Sequence, residues 1–199
     1  MKNVPAGKSV KSSPGRDIAL FGNLRVMTCA GLLAALSIIL GKFLQIPNPF
    51  QEIIRISFEN TPLVMAGMFF GPAVGLATGA VADLVGCALY GYAVNPLITV
   101  GAASVGFVSG IISGYIIKRS TLLKTVLSVS IAHIIGSVVI KSIGLAAWYL
   151  STYNMGLAEL MLWRLLTYCI IGVAETAIVF ALIKNRSFSS QLERMKRRK

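Results

Sequence analysis

The run from Leu97 to Ile117 contains no charged side chain, and it is one of several apolar runs separated by short polar breaks. A helix rises about 1.5 Å per residue and a bilayer core is about 30 Å thick, so about 20 apolar residues make one crossing. Charged residues are only 13% of the 199-residue chain, against about a quarter in soluble domains. Little chain is left for a soluble domain, so a single membrane-embedded bundle is expected.

Taken in order, spans are expected over Val26–Gly41, Arg55–Phe70, Ala73–Tyr90, Leu97–Ile117, Val126–Leu150 and Leu157–Ile183. The fold class is therefore all-α, a six-transmembrane-helix bundle over residues 21–184 with a disordered basic tail (1–20) before it and a basic, solvated tail (185–199) after it. The second span is short and carries Pro62 in its first turns. Such a span is tolerated where its polar start lines a water-filled cavity rather than lipid. Gly71-Pro72 reads as a tight turn with proline opening the next helix. Pro47 and Pro49 forbid a continuous helix through Gln45–Phe50, which reads as a loop.

The formal charge of +12 collects in residues 1–25, 118–124 and 184–199, all outside the apolar runs. An even number of spans puts both termini on one side, and the positive-inside rule makes that side the cytoplasm. Lys42, Arg55, Lys141 and Arg164 are then the basic residues elsewhere. Charge placed this way faces anionic headgroups, not nucleic acid. A multi-pass protein of the bacterial plasma membrane is expected. The leader lacks a short apolar core followed by a small-residue cleavage site, so it reads as uncleaved. Cys29, Cys87 and Cys169 have neither metal nor redox spacing and read as free thiols.

Ionisable residues inside the spans are the candidate site, because each costs free energy in hydrocarbon. Asp83 lies about 16 Å along its span, near the midplane. It is either a structural partner of Lys141 or His133 on another helix, or a ligand contact. Arg55, Lys141 and Arg164 fall near one depth and would form an outward positive vestibule, although single interfacial cations usually snorkel. Glu59 is four residues after Arg55 and within reach of it. Glu175 lies on nearly the same helix face as Arg164 but some 16 Å deeper, beyond direct pairing. His133 reads as a satisfied polar group of the core.

No nucleophile–base pair, metal cluster or GxxxxGK[ST] loop is present. A carrier or binder without cofactor or metal is expected rather than an enzyme. Small residues recur every fourth position at Ala30/Ala34, Gly75/Gly79 and Gly106/Gly110/Gly114, the spacing that lets helices approach closely in lipid. The glycine series reads as interior packing; Ala30/Ala34 serves either interior packing or docking of another membrane protein.

The ordered set Arg55-Ile-Ser-Phe-Glu-Asn-Thr-Pro62, Ala66-Gly-Met-Phe-Phe-Gly-Pro-Ala-Val-Gly75, Gly79-Ala-Val-Ala-Asp-Leu-Val-Gly86 and Asn95-Pro96 resembles the substrate-binding S components of energy-coupling-factor (ECF) vitamin importers, and their folate-specific branch in particular. The resemblance runs from about Arg25 to Ile183 and is strongest from Arg55 to Gly114. It implies capture of folate from outside and delivery to the cytoplasm, with a transmembrane coupling protein (EcfT) and two cytosolic ATPases. It also implies that Ala30 and Ala34 dock the coupling protein, and that Gln45, Pro47, Asn48, Pro49 and Phe50 form a gating loop. Folate chemistry then assigns Arg55 and Arg164, with Lys141 third, to the glutamyl carboxylates. Asp83 or Glu175 would accept from the pterin N–H edge, and Asn60 and Asn95 would read its remaining polar atoms. Trp163, Phe58 or Tyr168 would stack on the rings. The alternatives are an S component for another water-soluble vitamin or a pyrimidine precursor, a non-transport assembly subunit, and a membrane enzyme using His133 or Asp83.

Overall fold

A computed structural model describes residues 20, 22–43, 45–47, 55–117 and 120–196, with the backbone alone described for 45–47 and 55. Helices α1 (Leu24–Phe43), α2 (Asn60–Phe70), α3 (Pro72–Tyr90), α4 (Pro96–Ile116), α5 (Thr121–Tyr153), α6 (Leu157–Lys184) and α7 (Arg186–Lys196) follow in chain order. Of these, α1, α3, α4, α5 and α6 are long and apolar enough to cross a bilayer.

The second helix departs from expectation at its start. Arg55–Ser57 is not helical but a strand, β2, paired antiparallel with β1 (Gln45–Pro47) in the register Ile46↔Ile56. Proline explains the shift. A helix begun at Arg55 would place Pro62 in its second turn, where the ring meets the carbonyl four residues back. Begun at Asn60, the helix holds Pro62 in its first turn, where no donor is missed. The segment 45–47 is likewise a strand rather than a loop; Asn48, Pro49 and Phe50 lie outside the described residues.

With 11 residues α2 is about 16 Å long, too short to span. Nearly all of it is buried, from Asn60 and Leu63 to Phe70, so it is a pillar wrapped by protein rather than a lipid-facing helix. Its polar first turn opens into a cavity, which is how so short an element is tolerated at membrane depth. Gly71 ends it at φ 97°, a conformation that side chains disfavour, and Pro72 starts α3 at once.

Around the pillar α3 and α4 pack backbone to backbone. The fourth-position glycines are the reason: Gly75, Gly106 and Gly67 meet where the three helices cross. Ala30 and Ala34 also point inward, at 6% and 4% exposure, into clusters containing Phe69 and Val74 or Leu63 and Ala82. The expected docking face on α1 is therefore an interior packing face. Spacing defines a stripe but not the direction it faces.

Helix α5 is irregular. Its stretch His133–Ile140 is wound as a π-helix, which widens the turn and frees backbone carbonyls for other partners. The C-terminal tail is not free in solvent. In α7, Phe188, Leu192 and Met195 pack on the cluster holding Phe69 and Val26, and Asn23 Nδ2 donates to the Met195 carbonyl at 2.7 Å. These contacts place α7 beside the start of α1.

Candidate functional site

A cavity of about 200 Å³ lies at the end of the bundle opposite α7. Its walls come from the last turns of α1, the first turn of α2, the second half of α3, and single positions on α4 and α5. Ile38, Leu63, Ala82 and Ala102 make it apolar on the sides. Glu59, Asn60, Asp83 and Lys141 supply its polar groups.

Those groups are held in place by one another. Lys141 Nζ donates to Glu59 Oε1 at 2.9 Å and to Asn60 Oδ1 at 3.3 Å. Asn60 Nδ2 then donates to Ser137 Oγ at 3.1 Å and Tyr168 OH at 3.4 Å, so both ends of the amide are used. Ser37 Oγ donates to the Glu59 carbonyl at 2.6 Å, fixing the entry to α2. On the opposite wall, Thr99 Oγ1 donates to Asp83 Oδ2 at 2.6 Å. A carboxylate has about four acceptor positions, so Asp83 retains acceptors toward the cavity. Neither expected partner of Asp83 is used: Lys141 pairs with Glu59, and His133 with Glu175. Glu59 thus ties α2 to α5; its expected pairing with Arg55 falls on a side chain outside the described residues.

Beneath the cavity lies a second polar layer. Glu175 is fully buried; it accepts from Thr61 Oγ1 at 2.7 Å and is bonded to His133 Nε2. His133 Nδ1 shares a hydrogen bond with Ser137 Oγ at 3.3 Å, and its ring stacks on Tyr168 at 4.7 Å. His133 is thus a satisfied core group, as its isolation in the sequence indicates. Arg164 Nε donates to the Ser137 carbonyl at 3.0 Å, inside the π-wound stretch. That bond holds the guanidinium in the α5–α6 interface, where Arg164 is 8% exposed.

The structure thus brings Asn60, Asp83 and Lys141 together on one cavity, while Asn95, Trp163, Arg164 and Glu175 do not line it; the Arg55 side chain lies outside the described residues. Arg164 and Glu175 are interior links between helices; of the expected three-cation vestibule, Arg164 and Lys141 are each held by interior partners and the Arg55 side chain lies outside the described residues. Asn95 caps α4, its Oδ1 accepting from the Leu97 N–H at 3.0 Å while Nδ2 donates to the Gly144 carbonyl at 2.7 Å. An asparagine immediately before a proline-led helix has that role by default. Trp163 packs with Tyr149, Met155 and Leu160, away from the cavity. Tyr168 stacks one ring face on His133 and does not line this cavity.

Sequence reasoning missed Glu59 as a cavity group, as well as Lys42, Tyr90 and Tyr92 at its mouth. The signal for Glu59 was its place one residue before Asn60, at the polar start of a buried helix.

Fold and cavity together define a multi-pass helical membrane protein that carries a small polar-lined cup at one end. The chain belongs to the ECF-type riboflavin transporter S component family, whose family model matches residues 22–187. That family is one of transporter components, not of enzymes. Among curated proteins, the chain is 30% identical over 125 residues to the folate transporter FolT of Clostridium novyi (strain NT), covering 61% of this chain and 69% of that one. It is 29% identical over 100 residues to the uncharacterized protein MG313 homolog of Mycoplasma pneumoniae (strain ATCC 29342 / M129 / Subtype 1), covering 50% of this chain and 34% of that one. Among solved structures it matches the crystal structure of FolT bound with folic acid, at a TM-score of 0.59 and 26% identity. That match covers 80% of this chain and 92% of the other.

Proposed function

We propose that this S component captures folate from outside the cell and delivers it to the cytoplasm together with EcfT and two cytosolic ATPases. In this reading α1 to α6 form the six-helix membrane domain of a plasma-membrane protein. The short α2 is its sixth helix, and both termini are cytoplasmic. The orientation follows from Arg25, Lys184, Arg186, Arg194 and Lys196, which gather at the α7 end. The cup then opens outward.

The observation that carries the ligand assignment is the chemistry of the cup. Carboxylate acceptors and a neutral amide sit between apolar walls, which suits a flat heterocycle edged with N–H donors. The cavity is smaller than the ~300–1,000 Å³ typical for drug-sized ligands. It fits the pterin bicycle and leaves the rest of folate toward the mouth. Support also comes from the FolT relatives, one of them solved with folic acid.

Folic acid should raise the unfolding temperature of the detergent-solubilised protein in proportion to log concentration, as a native-state ligand must. Asp83→Asn keeps an acceptor for Thr99 but removes the charge, and it should weaken folic acid binding by about tenfold or more in calorimetry. Equal affinity in both proteins would remove Asp83 from the site. The family, one of riboflavin transporter S components, favours a second reading, riboflavin. A flavin also offers an N–H edge, and the ultraviolet–visible spectrum of co-purified ligand separates the two.

A further inference from the structure

We propose that Lys42, framed by Tyr90 and Tyr92, is a carboxylate-binding subsite at the mouth of the cup, selecting ligands whose heterocycle carries an anionic tail. This rests on the folate reading above. Lys42 lies in the last turn of α1, and Tyr90 closes α3. Gly91, at φ 67°, turns the chain back so that the Tyr92 N–H bonds the Cys87 carbonyl at 3.0 Å. The turn sets the two tyrosine rings 6.2 Å apart. Lys42 Nζ stands 4.8 Å from one ring centre and 5.3 Å from the other, and donates to Tyr92 OH at 2.9 Å.

All three side chains line the same cavity as Asp83 and Asn60. An interfacial lysine beside tyrosines ordinarily only snorkels to water, with the rings as a membrane belt. Here the distribution of partners argues for more. Lys141 is taken up by Glu59 and Asn60, and Arg164 by the Ser137 carbonyl. Lys42 forms no ion pair among the described residues, and an ammonium has three donors, of which the Tyr92 hydroxyl takes one. Among the described residues, then, the cup has a positive charge without an ion pair at its mouth and acceptors within. A pterin seated on Asp83 sends its tail toward the mouth, because the cavity is too small to enclose it. The cation–π contacts hold the ammonium there in advance, so less side-chain freedom is lost on binding.

The test is calorimetry on the full chain with two probes: folic acid, and folic acid with both tail carboxylates converted to amides. Wild-type protein should prefer folic acid by about tenfold, a charge-assisted bond discounted for an exposed site. Lys42→Met should bind the two probes alike, while Lys42→Arg should retain the preference. Persistence of the preference in Lys42→Met, or its absence from the wild type, overturns the subsite and leaves the folate reading intact. A wild-type protein that binds neither probe overturns both.

Discussion

Replacing Glu175 by alanine is expected to destabilise the bundle by about 3–5 kcal/mol, the range for removing one partner of a buried pair. For a chain of this size that lowers the unfolding midpoint by roughly 6–20 °C. The carboxylate is fully buried and joins three helices: α6 carries it, Thr61 of α2 donates to one oxygen, and His133 of α5 is bonded to the other. Alanine leaves the imidazole and the hydroxyl facing a void, with no water to replace the lost partner. Glu175→Gln keeps the volume. Its oxygen can still accept from Thr61 and its amino group can serve a neutral His133, so less than half the loss is expected. Tryptophan-fluorescence unfolding of the three proteins in one detergent reads both numbers. An alanine variant within about 2 °C of wild type would mean that the pair contributes nothing.

The order and placement of the long helices were legible in the sequence because hydrocarbon demands about 20 apolar residues per crossing. Gly71-Pro72 was legible because few other dipeptides stop one helix and start another. Asn60, Asp83 and Lys141 were legible because polar groups are expensive at membrane depth and so announce themselves. Such residues are either ligand contacts or links between helices, and the sequence does not separate the two. Arg164 and Glu175 are links because Ser137 and His133, both within the stretch His133–Ile140 where π-winding changes the phase of α5, take them up. Nothing in His-Ile-Ile-Gly-Ser-Val-Val-Ile marks that change of phase.

Ala30 and Ala34 show a second limit, since equal spacing describes an inward and an outward stripe alike. The mouth cluster shows a third: Lys42 and the two tyrosines belong to different elements, and only tertiary structure brings them together. By contrast α7 is legible in the sequence. Phe188, Leu192 and Met195 recur at helical spacing beneath the basic residues that dominate the tail's composition.

Gly106→Ala should be as damaging as the loss of Glu175 despite adding only a methyl group. A Cβ at Gly106 would come within 2.5 Å of the Gly75 carbonyl carbon, and one at Gly75 within 2.6 Å of the Gly67 Cα. The obstacles are backbone atoms of α2 and α3, which have no rotamer to change, so whole helices must separate. Further along the same crossing Gly79 meets the Ala102 backbone and Gly110 meets Pro72, so separation loosens the seam over its length. Lipid supplies no hydrophobic force to press helices together, and close van der Waals contact is what holds this seam. Roughly 3 kcal/mol or more should be lost, the upper end for overpacking. After extraction, much of the variant should elute as aggregate in size-exclusion chromatography. Gly31 is the matched control: a Cβ there meets nothing within 4 Å. Gly31→Ala should therefore stay within about 0.5 kcal/mol of wild type. If Gly106→Ala is instead monodisperse and melts with the wild type, α3 and α4 do not touch through their backbones. The α4 wall of the cup, which Ala102 supplies four residues before Gly106, would then be misplaced as well.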